Sequence, residues 1–277
     1  MNRPMLLAYE GWYPENHAEC VKEIKKYIHE DKESSKEHLK AVVSPHAGWR
    51  FCGNISVNII KRLSQYVTPE ITTLFIFGGH LPAYANPIVE TFDKAHTPLG
   101  YLDCDREAVS LLLENSYVHK KDFVQDNSIE VLLPLVKYFF GDIKIVCIYM
   151  PPSEKIYKVL DIIDEHYRGK ALYIGSTDLT HYGHNYHFTK DTEGLDPVEW
   201  VKYINDHNYI ELLLKMQGSE SMEYAIKNSS ACSAGAATSA LYLSGCQGVE
   251  RGELFGYSTS YDILKSESFV GYAGIIY

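Results

Sequence analysis

The chain has 277 residues, of which 45% are hydrophobic and 13% aromatic, and this supply of core-forming side chains excludes a disordered protein. Lysine and arginine together number 26 against 36 aspartates and glutamates, so the formal net charge is -10. A net-acidic chain without a local basic stripe repels phosphate backbones and anionic lipid, and we therefore expect neither nucleic acid nor a membrane as a partner.

The N-terminal segment and the cysteines predict a cytoplasmic location. The first twenty residues contain no apolar run of signal-peptide length, and no stretch of the chain predicts a membrane span. Six cysteines are scattered without a Cys-x-x-Cys pair, which is typical of reduced thiols, and we expect most of them to be small buried hydrophobic side chains. No linker or internal repeat divides the chain, so we expect one domain over residues 1–277.

In the first half of the chain, helical patterns alternate with short apolar runs. The charged stretch 25–40 favours a solvated helix and its exposed end. The strand "KAVVSP" is followed by the helical pattern "GNISVNIIKRLSQYV" and then by the strand "TTLFIFGGH". "PIVETFDKAHTPLGYLDCD" carries turn signals typical of a hairpin, and "REAVSLLLENS" favours a helix. "SIEVLLPLVKYFFG" predicts a helix that ends at Gly141, with a kink or break at Pro134.

The second half repeats this alternation. The strand "KIVCIYM", the helix "SEKIYKVLDIIDEHYRG" and the strand "ALYIGSTDLTH" follow one another, and "PVEWVKYINDHNYIELLLKMQG" and "CSAGAATSALYLSG" predict two further helices. "LFGYSTSYD" and "SFVGYAGIIY" indicate two closing strands. Because strands alternate with helices, we expect an α/β fold whose central mixed β-sheet is covered by helices on both faces.

Three of the predicted strands end in a histidine, namely His46, His80 and His181. Any one of them can be an ordinary turn residue held by nearby backbone. Three histidines that each follow a β run, with Gly, Pro, Ser or Thr near its tip, favour a shared site, because active sites of open α/β sheets gather at the carboxyl ends of the strands. Asp178 lies near the end of the third strand. It fits this site, and it also fits a turn or an N-cap position.

Two further residues have open interpretations from the sequence alone. Cys232 begins the helical run "CSAGAATSALYL" and, by itself, favours simple packing at a helix N-terminus. Glu130 in "SIEVLLP" fits a solvent-facing helix position and also a position that reaches the pocket from the first turn.

The order and spacing of several motifs resemble the Memo family, whose bacterial and archaeal members are also called AmmeMemoRadiSam system protein B. The motifs are "SPHAGWRFCGN", "FGGH", "DNSIEVLLPLVKYF", "STDLTHYG", "ACSAGAATSAL" and "GYSTSYD" followed by "VGYAG". The likeness runs from "GWYPEN" to "FVGYAGIIY". It implies the fold of class III extradiol ring-cleaving dioxygenases, which use non-haem Fe(II), with a pocket at one end of the sheet.

The resemblance also implies roles for individual residues. It makes His46, His80 and Cys232 metal ligands and places Asp178 and His181 beside the metal, with His181 where the related dioxygenases keep an acid/base histidine. A cysteine thiolate in place of the carboxylate of a facial triad gives a softer site that tolerates Fe(II), Zn(II) or Cu(I). We expect Fe(II), with copper and zinc as the alternatives. Asp178 is expected either to orient the imidazole of His181 or to support the metal ligands from behind, and His181 would move a proton at the site.

We assign Asn127, Glu130 and Trp49 to substrate binding. Asn127 in "DNSIE" stands where family members usually carry a histidine, so one polar contact to substrate or metal is changed. The run "CSAGAA" also departs from the usual "CG-x-x-P-I" after the cysteine. The expected ligand of the pocket is a small molecule or a peptide.

Three classes of function follow. The first is a metal-dependent oxidoreductase related to the dioxygenases, although the missing carboxylate ligand argues against ordinary extradiol cleavage. The second is a catalytically vestigial scaffold whose pocket binds a peptide or a partner protein. The third is an accessory component that works with radical-SAM and AMMECR-like proteins, as the bacterial family name implies. Metal content separates the first and third classes from the second.

Overall fold

The computed structural model describes residues 1–29 and 39–277, so part of the charged stretch 25–40 lies outside the described residues. The strands of the described part are β1 (Asn2–Arg3), β2 (Ala41–Ser44), β3 (Thr73–Gly78), β4 (Ile88–Glu90), β5 (Lys94–Thr97), β6 (Gly100–Asp103), β7 (His119–Lys121), β8 (Lys144–Tyr149), β9 (Ala171–Ser176), β10 (His181–Tyr182), β11 (Glu253–Thr259) and β12 (Phe269–Ile276).

A nine-stranded sheet with the order β10-β12-β2-β9-β3-β8-β4-β7 forms the centre, and β11 pairs with β12. Strands β2, β9, β3 and β8 are parallel to one another, and nearly all their residues are buried, as expected for strands covered on both faces. Strand β12 joins β2 in the antiparallel direction, and β4 joins β8 in the same way, so the sheet is mixed. A separate three-stranded sheet contains β1 and the predicted hairpin, β5 with β6.

Helices cover both faces of the central sheet, which confirms the expected fold class. Helices α1, α2 and α5 form one layer, while α6, α8, α9 and α10 form the other. The helices are α1 (His17–Tyr27), α2 (Trp49–Ser64), α3 (Arg106–Leu113), α4 (Asn127–Glu130), α5 (Leu133–Phe140), α6 (Lys155–Tyr167), α7 (Pro197–Trp200), α8 (Asp206–Leu214), α9 (Gly218–Asn228), α10 (Ala234–Gly245) and α11 (Ser260–Ile263), with a 3₁₀ turn at His184–Tyr186 and a π-helical turn at Val201–Asn205.

Two helices differ from their predicted bounds for local reasons. Helix α2 begins at Trp49, four residues before the predicted start, because the backbone N–H of Trp49 donates to the carbonyl of Trp12 at 2.9 Å. The predicted helix around Pro134 is two helices, α4 and α5. The break precedes Pro134, which lies in the first turn of α5 where its missing N–H costs nothing. Helix α5 ends at Gly141, as predicted.

The third histidine-bearing strand is shorter than predicted. Strand β9 ends at Ser176, and residues 177–180 leave the sheet before His181 begins β10. The backbone of this excursion, which we call the 177–180 loop, finds partners elsewhere. Thr177 N–H donates to Ser44 at 3.0 Å, and Leu179 N–H donates to the carbonyl of Gly271 at 2.8 Å. These backbone N–H groups of the loop are therefore hydrogen-bonded although the residues are not in the strand that the sequence predicts.

All six cysteines are free, and Cys20, Cys52, Cys104 and Cys147 are buried, as expected for small hydrophobic side chains. None of the helices in the described ranges combines the length and the apolarity that crossing a membrane requires.

Candidate metal centre and its cavity

Three parallel strands each place a polar side chain two residues beyond their ends. His46 follows β2 in this way, His80 follows β3, and Asp178 follows β9. Strand β9 lies between β2 and β3 in the sheet. The same offset on three neighbouring parallel strands therefore brings these side chains to one edge, which is where sites of open α/β sheets form.

Cys232 reaches the same edge just before α10 begins. Its backbone N–H donates to the carbonyl of Asp178 at 3.2 Å. The next turn carries Gly235, where a Cβ atom would overlap the carbonyl oxygen of Pro151, so only glycine lets α10 begin this close to the end of β8. Close packing of α10 thus fixes the position of the cysteine.

His46, His80 and Cys232 form a group that could hold a metal ion. Their potential ligand atoms all lie within 4.8 Å of one another. The Sγ atom of Cys232 is 3.2 Å from Nε2 of His46, and the two imidazole rings meet edge to face with centroids 5.1 Å apart. The three side chains expected from the sequence to converge are therefore together, although they come from distant parts of the chain.

A hydrogen bond at the other ring nitrogen orients each imidazole. Nδ1 of His46 lies 2.9 Å from the hydroxyl of Ser176, and Nδ1 of His80 lies 2.7 Å from a carboxylate oxygen of Asp126. Both contacts leave Nε2 as the ring nitrogen available to a metal ion. Histidine ligands of metals are usually held in this way, which fixes the tautomer and makes the ligand more basic.

The charges around the group favour an ionised thiol. Burial opposes ionisation of Cys232, yet the imidazoles of His46 and His80 lower its pKa to about 6. Desolvation alone would lower the pKa of His80, whereas hydrogen bonds to Asp126 and Cys232 raise it to about 11. At neutral pH Cys232 is therefore a thiolate beside a protonated His80, and a soft or borderline metal ion would bind the thiolate and the two imidazoles by displacing the proton of His80.

A cavity of about 440 Å³ adjoins this group. Asn127, Asp178 and His181 provide polar groups on its lining, and its aromatic walls are Trp12, Phe51, Tyr186 and Tyr272. His46, His80 and Cys232 do not themselves line this cavity, and its lining meets the metal group through the backbone of His46. The Asp178 carboxylate accepts a hydrogen bond from the backbone N–H of His46 at 2.7 Å, and the Asn127 amide donates to the His46 carbonyl at 3.2 Å.

His181 lines the cavity but is not held by Asp178 as the sequence suggested. Its Nδ1 lies 3.0 Å from the carbonyl of Leu179, and its ring meets that of Tyr186 edge to face with centroids 5.0 Å apart. Asp178 is 3% exposed, and burial raises the pKa of its carboxyl group. Asp178 therefore orients the backbone of His46 and not the ring of His181, and within the described residues no hydrogen bond engages Nε2 of His181.

Two of the residues assigned to substrate binding lie elsewhere than expected. The indole N–H of Trp49 donates to the carbonyl of Val131 at 2.9 Å, and its side chain is buried in the core against Tyr13. The carboxylate of Glu130 accepts hydrogen bonds from the backbone of Leu6 and Leu7 and contacts Arg3. Because both side chains are turned into the interior, Asn127 is the member of this trio that lines the cavity.

Sequence reasoning missed Asp126 and Ser176. Asp126 is the N-cap of α4 and accepts a hydrogen bond from the backbone N–H of Ser128 at 2.7 Å, so the sequence signals only a helix start. Ser176 is the last residue of β9, and nothing local distinguishes it from other strand ends. The motifs "DNSIE" and "STDLTH" contained both residues, and their contacts with the histidines became visible only in three dimensions.

The fold and site together define an α/β protein with a His-His-Cys group at the carboxyl edge of its central sheet. A family model described as Memo-like protein matches residues 3–276. The chain belongs to the Memo family.

Curated relatives match along nearly the whole chain. A MEMO1 family protein of Methanococcoides burtonii is 30% identical over 276 aligned positions, and one of Archaeoglobus fulgidus is 27% identical over 279, each alignment covering 96% of both chains. The MEMO1 family protein MK0963 of Methanopyrus kandleri is 29% identical and covers 86% of this chain and 83% of its own.

Among solved structures, an uncharacterized protein of Escherichia coli K12, JW3007, superposes with a TM-score of 0.50 at 12% sequence identity. The match covers 86% of this chain and 99% of that protein. At this identity the likeness concerns the fold alone.

Proposed function

We propose that the protein is a metal-dependent oxidoreductase in which His46, His80 and Cys232 hold Fe(II). The observation that carries the proposal is the convergence of two oriented imidazoles and an acidified thiol beside a cavity large enough for a small molecule. The resemblance to class III extradiol dioxygenases supports iron, whereas the thiolate also accommodates copper or zinc.

Each residue near the group has a defined part in this proposal. A bound Fe(II) would supply a Lewis-acidic, redox-active centre. His181 exchanges a proton with the ligand in the cavity through Nε2, since Leu179 occupies Nδ1. Asp178 and Asn127 hold the backbone of His46 in place. The aromatic walls bind the apolar body of the substrate.

The test is metal analysis of protein purified without oxygen. The wild-type protein is expected to carry about one iron per chain. His46→Ala, His80→Ala and Cys232→Ala are each expected to lose at least about tenfold in metal affinity, because each removes a ligand. His184→Ala changes an exposed imidazole of the 3₁₀ turn and serves as the matched control, with metal content unchanged.

His181→Gln separates a proton-transfer residue from a ligand. It is expected to keep its metal and, with a substrate identified by oxygen uptake, to turn over at least about tenfold more slowly. Loss of metal would make His181 a ligand. A wild-type protein that binds no iron, copper or zinc would contradict the proposal. It would favour the alternative of a catalytically vestigial scaffold whose pocket binds a peptide or a partner protein. Zinc or copper in place of iron would change the assignment of the metal.

A further inference from the structure

The loop that carries Asp178 and Thr180 rests on a buried polar cluster that the proposed chemistry does not use. Its centre is Asp206, which is completely buried. One carboxylate oxygen accepts hydrogen bonds from the backbone N–H of Thr180 at 3.1 Å and from its hydroxyl at 2.5 Å. The other oxygen accepts a hydrogen bond from the hydroxyl of Tyr257 at 2.8 Å. We call Asp206, Tyr257 and Asn205 the Asp206 cluster.

The chain departs from regular helix where it enters this cluster. The π-helical turn ends at Asn205, and α8 begins at Asp206. The side chains of Asn205 and Asp206 are both fully buried, and both contact Thr180. The amide of Asn205 donates to the Thr180 hydroxyl at 2.9 Å. Consecutive residues of an α-helix point about 100° apart, so two adjacent side chains reach one target more readily from the wider π turn.

Two C-terminal motifs supply the remaining surroundings of the Asp206 carboxylate. Tyr257 belongs to "GYSTSYD" and Gly271 to "VGYAG". A Cβ atom at position 271 would overlap a carboxylate oxygen of Asp206, so the glycine makes room for it. The Gly271 backbone also pairs with the loop on both sides, since its N–H donates to Thr180 and its carbonyl accepts from Leu179. The motifs therefore hold the loop and the aspartate together.

We infer that Asp206 is a positioning residue that fixes His181 at the cavity by holding the side chain and backbone of Thr180. Thr180 directly precedes His181, and Leu179, whose carbonyl binds the imidazole, lies on the same loop. A shift of Thr180 therefore moves both the attachment point of His181 and the hydrogen-bond partner of its ring. Burying a carboxylate is costly, and burial raises the pKa of Asp206 to about 7. Packing alone would be served by an apolar side chain.

The inference rests on the proposed function only for what His181 does, and its test measures the imidazole directly. Diethyl pyrocarbonate is added to the full chain as purified, and the rate of modification at His181 is followed by fragment-resolved mass spectrometry. His184 and His187 lie close by in the sequence and provide internal references. Thr180→Val removes the hydroxyl with little change of shape, and Asp206→Leu removes the acceptor.

Both variants are expected to raise the rate at His181 at least about threefold, because a loosened loop exposes the ring and frees Nδ1. Thr180→Ser keeps the hydroxyl and should restore the wild-type rate. Thr73→Val is the matched control, since the hydroxyl of Thr73 donates to buried Asp105 at 2.5 Å at the opposite end of the sheet. It should leave His181 unchanged.

If Asp206→Leu does not fold, Thr180→Val alone decides the question. A wild-type rate in Thr180→Val would overturn the inference, as would an equal rise in Thr73→Val, which would indicate general loosening. Metal content is measured in the same samples. A metal-free protein whose His181 still responds to Thr180→Val would overturn the proposed function and leave the positioning role intact.

Discussion

At the scale of single residues, the contact between His80 and Asp126 decides how a partly exposed imidazole is held. The His80 side chain is 37% exposed, so packing constrains it less than it does the buried ring of His46. The hydrogen bond to Asp126 at 2.7 Å supplies the missing constraint. Although burial would raise the pKa of Asp126, its contact with His80 lowers it to about 2, so the carboxylate stays charged across the physiological range.

Asp126→Asn is expected to weaken metal binding by about tenfold to a hundredfold, the usual cost of losing a partner behind a histidine ligand. Asparagine caps a helix as well as aspartate does, so α4 keeps its start while the negative charge is lost. The dissociation constant of Co(II) or Zn(II), measured in competition with a chelator, reports the change. Asp122→Asn, on the exposed segment just before, is the control. Equal affinities for the two variants would contradict this role of Asp126.

The sequence predicted the residues that depend on strand ends and missed those that depend on contacts between distant segments. His46, His80 and Asp178 follow parallel strands, and the edge they share is a property of the sheet itself. Cys232 precedes a helix, where nothing but its motif distinguished it from a packing residue. Asp126 acts on a histidine 46 positions away, and its local signal is fully explained by helix capping.

At the scale of elements, the 177–180 loop shows tertiary contacts overriding strand propensity. Its residues continue a β-favouring run, yet the loop leaves the sheet because Asp178 binds His46 and Thr180 binds the Asp206 cluster. Propensity describes each segment alone, whereas these partners come from distant parts of the chain, His46 just after β2 and Asp206 at the start of α8. For the same reason the strands of the centre were predicted closely and the connection that carries the site was not.

Asp206 makes the stability of this junction depend on pH. The pKa of its carboxyl group is about 7 in the folded protein and lies near its ordinary value when the chain is unfolded. Between these two values the folded state binds a proton that the unfolded state lacks, so the contribution of Asp206 to stability is full at low pH and is lost as pH rises through about 7.

Wild type is therefore expected to lose stability relative to Asp206→Asn as pH rises from about 5 to about 8. Urea unfolding of both proteins at several pH values measures the difference between their unfolding free energies. The titration of groups that the two proteins share cancels in this difference. The groups that bind Asp206, on Thr180 and Tyr257, are neutral hydroxyls and a backbone N–H. A difference in unfolding free energy that stays constant across this range would contradict the prediction.

At the scale of the whole molecule, one buried guanidinium joins the N-terminus to the core. Arg3 contacts Glu90 at 2.9 Å and Glu130 at 3.2 Å, and all three side chains are almost fully buried. Glu130 also accepts hydrogen bonds from Tyr13 and from the backbone of Leu6. The segment tied down in this way continues to Trp12, which forms a wall of the cavity.

Arg3→Met is expected to destabilise the fold by about 3 to 5 kcal/mol, because it leaves two buried carboxylates without their counter-charge. Glu130→Gln should cost less, since Arg3 keeps Glu90 and the glutamine oxygen still accepts from the backbone. Urea unfolding at constant pH compares them. Asp142→Asn breaks an exposed ion pair with Lys137 and should change nothing measurable. A larger loss in Glu130→Gln than in Arg3→Met would contradict this account of the cluster.

The spread of the metal group along the chain has a consequence for the order of folding. His46 and Cys232 are 186 positions apart, and Leu179 and Thr180 of the 177–180 loop pair with Gly271 of β12. Contacts this distant in sequence carry the largest loop-closure entropy and tend to form late. During synthesis both histidines leave the ribosome long before the cysteine and the last strand. The three candidate ligands therefore come together only after most of the fold has formed, so under the proposed function we expect a metal ion to stabilise the folded state instead of nucleating it.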